Sequence, residues 1–134
     1  MMNPLRPSTP RHIVISGGPA SGKSTIGVHL AHLVHRPFLD LDEDEGNNGP
    51  ERLSRLLAAR HPTVITTYPE SFETLARGHR RGQHPEVALV WLAHQPGTRQ
   101  ASRPPETVDV VIAADATVPE SVDVIVESFG LGPA

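Results

Sequence analysis

Short apolar runs alternate with amphipathic stretches along the chain. His12-Ile13-Val14-Ile15-Ser16 is a β-branched run ending at Gly17-Gly18-Pro19, which predicts a buried strand entering a turn. Ile26, Leu30, Leu33 and Val34 follow at i, i+4, i+7 and i+8, the apolar stripe of a helix. Arg36-Pro37 ends that helix, because a residue before proline is disfavoured in helical conformation. Phe38 to Leu41 predicts a very short second strand, and the acidic, Gly/Asn-rich stretch from Asp42 to Gly49 predicts a loop. Pro50 suits the first position of a helix carrying Leu53, Leu56, Leu57 and Ala58.

Beyond His61-Pro62, Thr63 to Thr67 is a third β-branched strand. Pro69 to Arg80 then reads as a helix with Phe72, Leu75 and Ala76 facing inward, and residues 81–85 as a turn. Val87 to Leu92 is a continuous apolar strand. Between His94 and Glu106, Pro96, Gly97, Pro104 and Pro105 leave room for a loop or one helical turn. Val108 to Ala113 is a fifth strand, and Pro119 to Phe129 a closing helix with Val122, Ile125 and Val126 on one side. Five strands alternating with helices imply an α/β fold: a parallel sheet between two helical layers.

Composition agrees with this reading. Hydrophobic residues make up 37% but only five are aromatic, so the core is Val, Ile, Leu and Ala, which suits buried parallel strands. A net charge of −3 without a long basic run argues against a nucleic-acid partner. Without cysteine there are neither disulfides nor thiolate metal sites. Residues 1–11 contain three prolines and no apolar segment of the kind a secretory signal needs, so they are expected to be a disordered leader to one domain over residues 12–134. No apolar run approaches the roughly 20 residues of a membrane helix, so no membrane partner and a cytoplasmic location are expected.

Gly17-Gly18-Pro19-Ala20-Ser21-Gly22-Lys23-Ser24, followed by Thr25, matches G-x-x-x-x-G-K-[ST] at every fixed position. The motif lies between a predicted strand and a predicted helix, where loop N–H groups and the positive helix end converge on one anion site. Nucleotide phosphates, with Mg²⁺, are the ligand this implies. Lys23 is expected to reach the β- and γ-phosphates, and the Ser24 hydroxyl to ligate Mg²⁺.

Asp40-Leu41-Asp42 ends the second strand, 17 and 19 residues after Lys23. In an extended segment residues i and i+2 point the same way, so both carboxylates can face the phosphate loop. Asp40 is then placed to hold a water on Mg²⁺, and Asp42 to accept the proton of an attacking hydroxyl. The alternative is that both belong to the solvated acidic run ending at Glu45. His29, His32 and His35 follow one another at every third position, away from the apolar stripe, and are expected to be exposed polar residues and not metal ligands.

The stretch from Gly17 to Gly27, an apolar helix, and Pro37-Phe38-Leu39-Asp40-Leu41-Asp42 resemble the opening of shikimate kinases and, less closely, gluconate kinases. Val108 to Asp115 followed by Pro119-Glu120-Ser121-Val122 resembles that family's last strand and helix. The resemblance implies a P-loop NTPase fold with sheet order 2-3-1-4-5, ATP and Mg²⁺ as ligands, and phosphorylation of a small metabolite's hydroxyl. Asp40 would help place Mg²⁺ and Asp42 would bind the acceptor hydroxyl.

Three departures fall on the acceptor side. The helices after Asp42 are shortened and lack the family's Phe-Arg-x-x-Glu arginine. Thr67-Tyr68-Pro69-Glu70 stands where the family has three glycines. The lid is reduced to residues 95–106, where Arg99 and Arg103 are its only arginines and Arg103-Pro104 resembles the lid's Arg-Pro. Two functions follow as expectations: a small-molecule kinase, with Lys23, Asp42 and Arg103 as its catalytic residues, or a nucleotide-binding regulator or partner subunit with lost or weak transfer.

Overall fold

The structure is a computed structural model and describes residues 10–17, 22–41, 49–58, 61–67, 72, 75–77, 87–93, 108–113 and 115–131. Strands β1 (His12–Gly17), β2 (Phe38–Asp40), β3 (Thr63–Thr66), β4 (Val87–Leu92) and β5 (Val110–Ile112) form one sheet in the order β2-β3-β1-β4-β5. All four pairings are parallel. Helices α1 (Lys23–Val34), α2 (Gly49–Ala58) and α3 (Val118–Phe129) accompany it, and Phe72 and residues 75–77 are also helical.

Because successive strand residues face opposite ways, the sheet divides the core in two. On one face Ile13, Ile15, Val64, Ala88, Val90 and Leu92 meet Ile26, Leu30 and Ala31 of α1 and Val122 and Ile125 of α3. On the other, Val14, Ile65, Val87, Leu89 and Trp91 meet Leu41, Leu53 of α2, Phe72, Leu75 and Ala76. These are the two helical layers that the alternation of elements predicts.

One expected contact is wrong. Leu33 is 40% exposed, and the stripe that α1 buries is Ile26, Gly27, Leu30 and Ala31. The reason is close approach: a Cβ on Gly27 would lie 2.5 Å from Cε1 of Phe38 and 3.0 Å from Cγ2 of Thr66. The helix therefore presents its smallest residues where it is nearest to β2 and β3. Leu33 is carried round toward solvent.

The fifth strand is also shorter than its apolar run. Asp109 N donates to Leu89 O at 2.9 Å, while the Asp109 carboxylate accepts from Leu89 N at 2.7 Å, so a side chain takes the ladder position ahead of Val110. At the next helix, Thr117 and Glu120 form a reciprocal capping box: Thr117 Oγ1 accepts from Glu120 N at 3.2 Å, and Glu120 Oε1 accepts from Thr117 N at 3.0 Å.

The backbone N–H of Thr117, followed by its side chain, holds the Glu120 carboxyl below its ordinary value. A depressed carboxyl stabilises the fold above its unfolded-state pKa, and that stability is lost as pH falls through the lowered native value. Glu120→Gln should therefore flatten the acid limb of a Tm-against-pH curve. An unchanged acid limb would show that the box does not form in solution.

Candidate functional site

Carboxyl ends of parallel strands are where open α/β sheets take ligands, and several candidate residues gather there. Gly17 is the last residue of β1, and Lys23 the first of α1. Between them, Gly22 caps the helix with φ 81° and ψ 17°, a left-handed conformation that glycine adopts without a Cβ penalty. No side chain caps α1, and its first turn contains no acidic residue. Its leading N–H groups therefore keep the polarity that attracts an anion. Gly18, Pro19, Ala20 and Ser21 lie outside the described residues, as do Asp42, Tyr68, Pro69, Glu70, Arg99 and Arg103.

Ser24 follows Lys23 in the first turn, and both side chains are half-buried. The Ser24 hydroxyl donates to Asp40 Oδ2 at 2.9 Å, across 16 residues of sequence. Thr66 donates its hydroxyl to Asp40 Oδ1 at 3.0 Å. Asp40 and Thr66 are register partners on adjacent parallel strands, so the sheet places the two side by side before either side chain bonds. One carboxylate thus ties α1 to β2 and β3. Thr25 is exposed beside them.

Thr66 is the residue that sequence reasoning missed. The only local signal is a threonine doublet ending an apolar strand. Its partner lies 26 residues away, visible only through register.

A hydroxyl and a carboxylate oxygen in contact are a hard-oxygen donor pair suited to Mg²⁺. That ion characteristically takes one or two carboxylates and completes its octahedron with phosphate oxygens and water. Among the described residues no group of three or more His, Cys, Asp or Glu converges on a point, which a cation held wholly by protein would require. His29, His32 and His35 are exposed, as their spacing implies. Also among the described residues, no helix is long and apolar enough to cross a membrane.

The sheet order and the strand–loop–helix geometry recur in solved structures. A shikimate kinase from Aquifex aeolicus vf5 is 17% identical with a TM-score of 0.63, covering 89% of this chain and 96% of its own. The fold is that of the small P-loop kinases. A gluconokinase from Sinorhizobium meliloti 1021 is 19% identical with a TM-score of 0.58, covering 92% of each chain. The Mycobacterium tuberculosis APS kinase CysC in complex with AMPPNP and APS is 14% identical with a TM-score of 0.62, covering 92% of this chain and 99% of its own. No protein-family model and no curated protein sequence matches the chain.

Proposed function

We propose that this chain is an ATP-dependent kinase that transfers the γ-phosphate to a hydroxyl of a small metabolite, in the manner of shikimate kinases. The observation that carries the reading is the meeting of Ser24 and Asp40 at 2.9 Å beside Lys23. The contact brings a strand-end carboxylate against the hydroxyl of the nucleotide-phosphate motif, at the end of the sheet where open α/β folds take ligands. The kinase-like fold supports it, as does the binding of a nucleotide analogue named in one structural neighbour.

In this reading the loop from Gly17 through Thr25 holds the phosphates with its backbone N–H groups, Pro19 having none to give, and Lys23 sets its charge against the β- and γ-oxygens. Ser24 and Asp40 are the residues that would hold Mg²⁺, which when bound neutralises charge that develops on the transferring group. Asp42 accepts the proton of the acceptor hydroxyl, and Arg103 brings a guanidinium to the phosphoryl oxygens. The acceptor approaches from the carboxyl ends of the strands.

The experiment follows ADP release from Mg·ATP with shikimate, gluconate or adenylyl sulfate added in turn, with Asp42→Asn alongside. Acceptor-dependent release that falls at least tenfold in Asp42→Asn is expected. If ATP binds and no acceptor stimulates release, the reading as a regulator that retained only the phosphate site replaces it.

Thr66 acts through Asp40, as a positioning residue. Thr66→Val keeps the methyl group beside Gly27 and loses the hydroxyl. It should raise the Mg²⁺ concentration needed for half-maximal rate by about tenfold, with Thr66→Ser restoring it. A Mg²⁺ dependence equal to wild type in Thr66→Val would remove Thr66 from the site.

A further inference from the structure

The ladder between β1 and β3 stops one rung early. Thr67 N donates to Ile15 O at 3.1 Å, which fixes the sides on which the backbone groups lie. A strand residue turns its N–H and C=O toward the same neighbour, and alternate residues share that neighbour. The N–H of Gly17 is therefore directed toward β3, and the carbonyl of Thr67 back toward β1. The next rung of a parallel ladder would join Gly17 N to Thr67 O. It is not made: pairing of β1 with β3 ends at Ile15 and Thr66, whereas pairing of β1 with β4 runs on to Gly17 and Leu92.

A side chain takes that carbonyl instead. Ser16 Oγ donates to Thr67 O at 2.7 Å, with both residues fully buried. Among the described residues no backbone N–H donates to the same carbonyl. Thr67 Oγ1 is buried without a hydrogen-bond partner among the described residues, as is Nε1 of Trp91, the register partner of Ser16. Buried carbonyls are nearly always paired, so if Ser16 lost its hydroxyl, the donor that the ladder geometry offers next is the N–H of Gly17. Gly17 is also the first residue of the phosphate motif. Drawing its N–H onto β3 would carry the sheet one residue into the motif, against the turn that the motif makes.

We propose that Ser16 is a positioning residue for the phosphate loop: its hydroxyl occupies the Thr67 carbonyl, ends the β1–β3 ladder at Ile15 and keeps the N–H of Gly17 out of the sheet. The inference rests on the reading that residues 17–24 hold nucleotide phosphates, and not on transfer to any acceptor. In Ser16→Ala the chain divides between the competent loop and a form whose first loop residue is drawn into the ladder. Apparent nucleotide affinity falls by the competent fraction. One hydrogen bond gained by the competing form corresponds to about a five- to tenfold loss.

The test uses the full chain, labelled with ¹⁵N and ¹³C, as wild type, Ser16→Ala and Ser16→Thr. A coupling through the hydrogen bond from Gly17 N to the Thr67 carbonyl carbon is sought by NMR, with the Thr67 N to Ile15 coupling as the internal control. Titration calorimetry with AMPPNP and Mg²⁺, and thermal unfolding, are run on the same three proteins. The expected result is a Gly17–Thr67 coupling in Ser16→Ala and none in wild type, a Kd for AMPPNP raised by about five- to tenfold, and wild-type affinity restored in Ser16→Thr.

A lower Tm in Ser16→Ala with unchanged AMPPNP affinity overturns the proposal, since the hydroxyl then only stabilises the strand end. A Gly17–Thr67 coupling already present in wild type overturns it as well. So does weaker binding in Ser16→Ala without the new coupling, because the loss then acts by another route. Failure of wild type itself to bind AMPPNP overturns the phosphate-site reading, and the role of Ser16 with it.

Discussion

Lys23→Ala should lower phosphoryl transfer by roughly 10²–10³-fold, the loss typical of removing one preorganised charge or donor from a site where negative charge develops. Lys23 is the first residue of α1, next to the left-handed Gly22, and its side chain is half-exposed and belongs to neither core cluster. The larger cost is therefore expected at the ligand and not in the core. Titration calorimetry with AMPPNP should show weaker binding, while thermal unfolding stays close to wild type. Lys23→Arg should not restore the rate, since a planar guanidinium cannot occupy the place of a compact ammonium. Wild-type nucleotide affinity in Lys23→Ala would move the phosphate site away from residues 17–24 and end the kinase reading.

Gly27→Ala should destabilise the protein, although glycine-to-alanine exchange within a helix ordinarily gains about 1 kcal/mol. Gly27 is an interior residue of α1, and the added Cβ would meet Phe38 Cε1 at 2.5 Å and Thr66 Cγ2 at 3.0 Å, both well inside ordinary contact. Overpacking of this kind typically costs about 1–3 kcal/mol, which at the upper end outweighs the propensity gain. The same push bears on Thr66, which holds Asp40, and on Phe38, two residues before it in β2. Thermal unfolding should show a Tm several degrees lower, and the Mg²⁺ requirement should rise with it. A Tm above wild type would mean that α1 and β2 have room to separate, and that Gly27 is not what sets their distance.

Much of the fold was legible because its signals are local. Val87 to Leu92 appears as a strand with the bounds its apolar run suggests, and α3 begins one residue before the expected Pro119. The sheet order came from a resemblance carried by the stretches from Gly17 to Asp42 and from Val108 to Val122, not from any run of hydrophobicity, and the structure bears it out. The misreading of Leu33 has a specific cause. A count of apolar side chains gives weight to leucine and none to glycine, whereas α1 meets the sheet through Gly27 and Ala31, and crowding there decides which way the helix turns.

Within the candidate site, the residues legible in the sequence are those that act as neighbours along it. Gly17, Gly22, Lys23 and Ser24 form one continuous motif, whose spacing already encodes the turn from β1 into α1. Asp40 was visible only as one of two carboxylates, either of which could have belonged to a solvated acidic run. Its hydrogen bonds to Ser24 and Thr66 tie Asp40 to the start of α1 and the end of β3.

By itself, the sequence determined the alternation of strand and helix, the phosphate motif and the mostly aliphatic core. Each depends on periodicity or on side chains a few residues apart. Tertiary structure alone decided that Thr66 holds Asp40, that Gly27 sets the distance between α1 and the sheet, and that Thr67 and Trp91 bury polar atoms without a partner among the described residues. Parallel strands bring residues tens of positions apart into lateral contact, and their register follows from the packing of whole elements, which no local pattern records.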